Sequence, residues 1–196
     1  KNIVLYLVEA VFVMTRKILL GILLFSMVFV YGCASSSHGS PGNNIQGQAV
    51  PGNTGINQGN LAPDFTINTI DGKTVSLSSL TADKPTVLYF FATWCPHCRN
   101  DLSAVSKVYS QYSDKVNFLA VDLDTKEGKG TISDYRHRMN LGEIDFAVGN
   151  NNILRDYNVV YTTTKYMIGK GGVILNKGTG EVSENTWHQV FQSMAQ

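Results

Sequence analysis

The chain has 196 residues, of which 43% are hydrophobic, which is enough to bury one core of ordinary size. Its 16 basic and 15 acidic residues nearly cancel, so no excess of positive charge supports nucleic-acid binding. Its three cysteines are too few for a fold stapled by disulfides and favour a dedicated redox pair.

The N-terminal part divides into segments that precede any globular pattern. Residues 1–13 come before a candidate initiator, Met14, and are interpreted as an upstream extension without function. Residues 14–32 have a basic start, a short apolar stretch and a final glycine, the pattern of a secretory signal. Because Cys33 follows at once, this segment resembles a bacterial lipoprotein signal in which that cysteine is lipidated. A retained anchor helix is the alternative, although the apolar stretch is shorter than the roughly 20 residues that a span needs.

Residues 33–60 are predicted to form a flexible tether. They are rich in Ser, Gly, Asn and Gln, carry almost no charge and offer too little apolar surface to fold. A flexible chain of this length reaches about 30 Å. The tether would therefore keep a folded domain near the membrane surface.

Hydrophobic periodicity predicts a folded domain over residues 61–196. Short apolar runs flank Asp71-Gly72, which is the signal of a β-hairpin. Strand and helix patterns then alternate, before a second hairpin and a last amphipathic helix. The predicted strands are 87–92, 116–121, 144–148, 166–168 and 173–175, and the predicted helices follow Cys98 and cover 131–139, 153–157 and 184–195. This order predicts a three-layer α/β/α sandwich.

A Cys-x-x-Cys motif lies where the first buried strand ends and a helix begins. At the start of that helix, Cys95 meets unpaired N–H groups and a dipole that stabilise a thiolate. Cys98 lies one turn further on, close enough to close a disulfide with it. We predict that Cys95 is the nucleophile and Cys98 the resolving thiol. A zinc knuckle would need a second pair of cysteines, and Arg99 in place of a histidine excludes covalent haem attachment.

The motif and its flanks resemble a known family. Residues 90–99 (FFATWCPHCR), 62–65 (APDF) and 71–77 (DGKTVSL) are similar to the TlpA/ResA-like branch of the thioredoxin superfamily. That resemblance implies a thioredoxin fold with an N-terminal β-hairpin extension and an extracytoplasmic, membrane-anchored thiol–disulfide oxidoreductase. It also implies protein disulfide substrates, apocytochrome c among them, and a membrane electron donor of the CcdA/DsbD type. No cofactor, metal or nucleic acid is expected.

The residues between the cysteines, Pro96-His97, are similar to those of DsbA and leave the direction of electron flow open. His97 would favour the Cys95 thiolate and make the disulfide more oxidising, or it is an exposed filler. Trp94 is expected to shield the disulfide, with ordinary packing as the alternative. Because the whole domain resembles the reductase branch, we expect reduction of protein disulfides, with a DsbA-like oxidase as the alternative.

Two functions of other classes were weighed against this one. A copper chaperone similar to the Sco proteins is the remaining alternative, although those proteins use Cys-x-x-x-Cys and the spacing here is one residue shorter. A peroxiredoxin is rejected because no Pro-x-x-x-Thr-x-x-Cys pattern leads into Cys95.

Two departures from the thioredoxin pattern affect the site. Tyr89 stands where thioredoxin has a buried Asp, and Asp101, where TlpA/ResA-like proteins often carry Glu, is the acidic candidate for handling protons. As a helix-surface residue, Asp101 would only complement the helix dipole. Aligned with the family, Thr163 replaces the cis-proline that faces the disulfide. A non-proline cis bond costs about 2.5–4 kcal/mol. The Thr162-Thr163 loop is therefore either rearranged or held by its surroundings, and we hypothesise that it faces Cys95.

Overall fold

The computed structural model describes residues 52–196. The predicted extension, the signal segment, Cys33 and most of the tether lie outside the described residues. Over the part of the chain that is described, no helix is both long enough and apolar enough to cross a membrane.

Seven strands and five α-helices alternate along the described residues. In chain order they are β1 (Thr66–Asn68), β2 (Thr74–Ser76), α1 (Leu77–Asp83), β3 (Thr86–Phe91), α2 (Pro96–Val108), β4 (Asn117–Asp122), α3 (Lys129–Arg138), β5 (Asp145–Val148), α4 (Asn151–Asp156), β6 (Thr164–Ile168), β7 (Ile174–Gly178) and α5 (Glu184–Met194). Every strand and helix predicted from the hydrophobic pattern is present, with bounds that differ by a few residues.

The centre of the fold is a five-stranded mixed sheet of order β5-β4-β3-β6-β7. Strand β4 runs parallel to β3 and β5 parallel to β4, whereas β6 and β7 are joined antiparallel. All six residues of the central strand β3 are buried, because helices cover both faces of the sheet. Its apolar sequence reflects this two-sided burial.

The two faces of the sheet have separate hydrophobic cores. Tyr89 and Phe91 of β3 pack with α2, α3 and α5 on one face, whereas Leu88 and Phe90 pack with α1, α4 and the β1–β2 hairpin on the other. This alternation follows from the two-residue period of a strand. The predicted three-layer α/β/α sandwich is confirmed.

The N-terminal β-hairpin is also confirmed. Strands β1 and β2 pair antiparallel, with Ile67 opposite Val75, and both of these side chains are buried. Gly72 has a φ of +85°, a conformation that glycine adopts at little cost, which explains its place in the turn. Ser76 then caps α1 reciprocally with Ser79, so the hairpin leads directly into the first helix.

Candidate redox site

The two cysteines form the disulfide that their spacing predicts. Cys95 and Cys98 are bonded through their sulfurs, with Cα atoms 5.3 Å apart. Cys95 is the N-cap of α2, and its sulfur accepts a hydrogen bond from the Cys98 N–H at 3.1 Å. Pro96 occupies the first helical turn, where a missing N–H costs nothing. Once the bond is reduced, these N-terminal donors favour a thiolate on Cys95.

Burial separates the two sulfur-bearing residues. Cys95 retains 2% of its surface, and Cys98 is completely buried. An incoming thiol or disulfide can therefore reach only Cys95, and a proton on Cys98 has no direct route to bulk water.

The segment just before Cys95 is held by the loop between β4 and α3. The Thr93 N–H donates to a carboxylate oxygen of Glu127 at 3.1 Å, and the Thr93 hydroxyl donates to the other oxygen. The indole N–H of Trp94 donates to Asp124 at 2.9 Å. Trp94 is 59% exposed, so its ring is available at the surface beside the disulfide, and its shielding role stays a prediction.

A buried acid lies beneath this loop. Asp122 ends β4 and is completely buried; one of its oxygens accepts the Asp124 N–H at 3.1 Å, and the other, Oδ2, has no partner. Burial raises the pKa of Asp122 to about 7, and the neighbouring Glu127 and Asp124 carboxylates add to that rise. The sequence shows Asp122 only as the last residue of an apolar strand.

His97 is engaged by a carboxylate that the sequence did not indicate. Its Nδ1 lies 3.0 Å from Glu181, which also accepts a hydrogen bond from Asn100 at 3.3 Å. The His97 side chain is 75% exposed, and its hydrogen bond lowers the pKa of Glu181, with Asn100 contributing less. Because Glu181 lies in a polar loop 84 residues downstream, no local pattern could have paired the two.

The expectation of a helix-surface Asp101 is wrong, because this side chain is completely buried. Asp101 follows Cys98 by one turn and lies on the same inward face of α2 as Leu102 and Val105. The same period that places those apolar residues in the core carries the carboxylate in with them. A buried carboxylate needs hydrogen-bond partners, and this one has four.

The four donors to Asp101 come from four different parts of the fold. Oδ1 accepts the indole N–H of Trp187 at 2.6 Å and the Val182 N–H at 3.2 Å. Oδ2 accepts the Lys165 ammonium group at 2.7 Å and the Tyr89 hydroxyl at 3.0 Å. Burial raises the pKa of Tyr89, and the Asp101 charge raises it further, so the phenol stays a donor. The sequence pointed to Tyr89 as a departure and to Trp187 as core, but it missed Lys165.

The loop that replaces the family's cis-proline is rearranged. No cis peptide bond occurs in residues 52–196, and Thr163 instead has a φ of +62°. A β-branched residue rarely adopts this left-handed conformation. Thr163 is buried, and its hydroxyl accepts the Gly180 N–H at 2.8 Å, which ties the loop to the segment that also carries Glu181. That the Thr162-Thr163 loop faces Cys95 stays a hypothesis.

Among the described side chains, no three His, Cys, Asp or Glu residues are grouped so that they could hold a metal ion.

The fold and the disulfide together define a class of protein. A central mixed sheet, with a Cys-x-x-Cys disulfide at the start of the helix that follows β3, is the arrangement of a thioredoxin-like thiol–disulfide oxidoreductase. Residues 58–177 match the model of the AhpC/TSA family, and the chain belongs to that family.

Individual relatives agree with this class. The chain is 29% identical over 177 residues to the thioredoxin-like protein YneN of Bacillus subtilis, covering 90% of this chain and 97% of that protein. It is 29% identical over 142 residues to the thiol-disulfide oxidoreductase ResA of Bacillus cereus, covering 69% and 78%. The crystal structure of StoA from Bacillus subtilis has a TM-score of 0.57 at 20% identity, covers 73% of this chain and 98% of that one, and shares the fold. The predicted resemblance to ResA-like proteins is confirmed.

Proposed function

We propose that this protein is a membrane-tethered, extracytoplasmic enzyme that reduces protein disulfides through Cys95 and Cys98. The observation that carries the proposal is the Cys95–Cys98 disulfide at the N-terminus of α2, backed by the buried Asp101 carboxylate. The similarity to a thiol-disulfide oxidoreductase, ResA, supports the same reaction.

The reaction exchanges one disulfide for another in two steps. The Cys95 thiolate attacks one sulfur of the substrate disulfide, and the other substrate sulfur leaves as a thiolate that takes up a proton. The Cys98 sulfur then attacks Cys95, restores the internal disulfide and releases the second substrate thiol. Two electrons pass from the protein dithiol to the substrate. Asp101 accepts the proton that Cys98 loses, because Cys98 has no contact with solvent.

The His97–Glu181 pair favours reduction over oxidation. A positive charge on His97 would stabilise the Cys95 thiolate and make the disulfide a stronger oxidant. The Glu181 carboxylate 3.0 Å from the imidazole offsets that charge. A DsbA-like, disulfide-donating function is therefore the second candidate.

Partners and location complete the proposal. Protein disulfides, including those of apocytochrome c, would be the substrates, and a membrane thiol donor of the CcdA/DsbD type would return the enzyme to its dithiol form. Residues 14–32 would be a lipoprotein signal, Cys33 the lipidated residue and residues 33–60 the tether for a domain over 61–196. Loss of membrane association in a Cys33→Ser variant of the full chain would support the anchor, and unchanged association would oppose it.

The direction of electron flow is tested by the reduction potential of the Cys95–Cys98 pair. Equilibration with defined glutathione ratios should give a value near that of thioredoxin, about −270 mV. A value near that of DsbA, about −120 mV, would favour the oxidase instead.

The roles of the two cysteines are tested by trapping. A Cys98→Ser variant should accumulate a mixed disulfide with a protein substrate, whereas the matched Cys95→Ser variant should trap none. Equal trapping by both variants would contradict the assignment of Cys95 as the nucleophile.

A further inference from the structure

We propose that Lys165 is a positioning residue of the redox site, whose buried ammonium group keeps Asp101 in the charged form that can accept the proton of Cys98. This inference rests on the proposed function, in which Cys98 must lose a proton inside the protein. It adds a residue outside the Cys-x-x-Cys motif and its helix to the chemistry.

Lys165 is built into the interior as a cation. It lies in the middle of β6 and is 4% exposed. Its ammonium group donates to Asp101 at 2.7 Å and to the carbonyl oxygen of Gly180 at 2.5 Å. It also lies 5.5 Å from the centre of the Tyr89 ring and 5.2 Å from that of the Trp187 ring, within range of cation–π attraction. Protein groups therefore replace much of the water that a lysine loses on burial.

Asp101 depends on this cation for its charge. A buried ion without a counter-charge is costly, and a carboxylate in that position takes up a proton instead. Of the four donors to Asp101, those from Tyr89, Val182 and Trp187 are neutral, and only Lys165 carries a charge. Removing Lys165 would leave the carboxylate hydrogen-bonded but electrically uncompensated.

The position of Asp101 makes its charge relevant to the reaction. It follows Cys98 by one turn on the inward face of α2, and both residues are completely buried. A carboxylate that already holds a proton cannot take another from Cys98. The other charged neighbour, Glu181, is exposed and hydrogen-bonded to His97 and Asn100, with Lys165 adding a weaker attraction that also lowers the Glu181 pKa.

A purely structural ion pair is the competing explanation. Replacing such a pair by apolar groups is often neutral for stability, so stability alone does not separate the two explanations. A role in proton transfer, in contrast, must change the pH dependence of the step in which Cys98 attacks.

The test measures that step directly. The reduced full chain is mixed with an aromatic disulfide whose leaving thiolate is coloured, and the second release of colour reports the attack of Cys98 on the Cys95 mixed disulfide. Rates are recorded from about pH 6 to about pH 10. Lys165→Met should slow this step about a hundredfold at neutral pH and move the profile to higher pH by at least about one unit. Lys165→Arg, which keeps the charge, should retain most of the rate.

Asp101→Asn separates this inference from the proposed function. It should reproduce the Lys165→Met profile, and the double variant should be no slower than either single variant because both remove the same base. If Asp101→Asn shifts the profile and Lys165→Met does not, the inference about Lys165 is wrong while the role of Asp101 stands. If neither variant shifts it, Asp101 is not the base and both fail. Should Lys165→Met not fold, Lys165→Gln, which keeps a neutral donor, carries the same expectation.

Discussion

Asp122 should make the stability of this protein depend on pH, and Asp122→Asn should remove that dependence. The side chain is completely buried at the end of β4, with one oxygen unpartnered and the Glu127 and Asp124 carboxylates nearby. Its pKa is about 7 in the folded protein, against an ordinary value of 3.8, mainly because burial disfavours the charged form.

The sign and the size follow from this rise. Between about pH 4 and about pH 7 the folded state holds a proton that the unfolded state has released, so the free energy of unfolding falls as the pH increases through this window. Above about pH 7 the contribution is flat, because both states are ionised. A rise of about three units corresponds to at most about 4 kcal/mol at 1.36 kcal/mol per unit. Relaxation of the loop around Asp122 would reduce that figure.

Asp122→Asn has the shape of the protonated acid and cannot ionise. It should match the wild type near pH 4 and exceed its free energy of unfolding by about 2–4 kcal/mol above pH 7. Urea unfolding of the oxidised protein across this range measures the difference. Asp124→Asn is the matched control: the Trp94 indole lowers the pKa of Asp124, so this variant should gain no stability at high pH. If wild type and Asp122→Asn show parallel pH profiles, the burial argument for Asp122 is refuted.

Three further substitutions test other contacts. Glu181→Gln should leave the His97 charge unopposed and raise the reduction potential by no more than about 20 mV, since the pair is exposed; a lower potential in glutathione equilibration would contradict this. Gly149→Ala should lower the free energy of unfolding by more than about 2 kcal/mol, because the new Cβ would collide with the carbonyl oxygen of Asp122; urea denaturation with an unchanged midpoint would rule out the collision. Ser76→Ala should cost about 1 kcal/mol by removing the capping box of α1, whereas Ser76→Thr should keep most of it in the same assay.

Local patterns in the sequence were enough to predict the frame of the site. The apolar run that ends before Thr93, the two cysteines and the helical period after Cys98 are all signals within about twenty residues of one another. The same holds for the hairpin around Gly72 and for the cap at Ser76. In each case neighbouring residues settle the conformation, and the structure confirms it.

Long-range polar contacts could not be predicted in the same way. Lys165 lies 64 residues from Asp101, and Glu127 lies 34 residues from Thr93. Weak signals existed: Asp101 falls on the inward period of α2, and Lys165 interrupts a strand that continues as Tyr-Met-Ile. Charged residues are usually exposed, so neither signal outweighs that expectation until the partner is known. Thr163 shows the complement, because the alignment identified a special position but not the left-handed backbone that resolves it.

The shell around Asp101 also sets an order of maturation. The cysteines can meet as soon as the first strand–helix unit forms, but the Val182 N–H and the Trp187 indole lie 81 and 86 residues after Asp101. During export from N- to C-terminus, the disulfide can therefore close before its proton acceptor is fully surrounded. We expect a newly made molecule to be oxidised first and catalytically competent only after α5 docks, so that a first reduction by its donor would serve as the final activation of the enzyme.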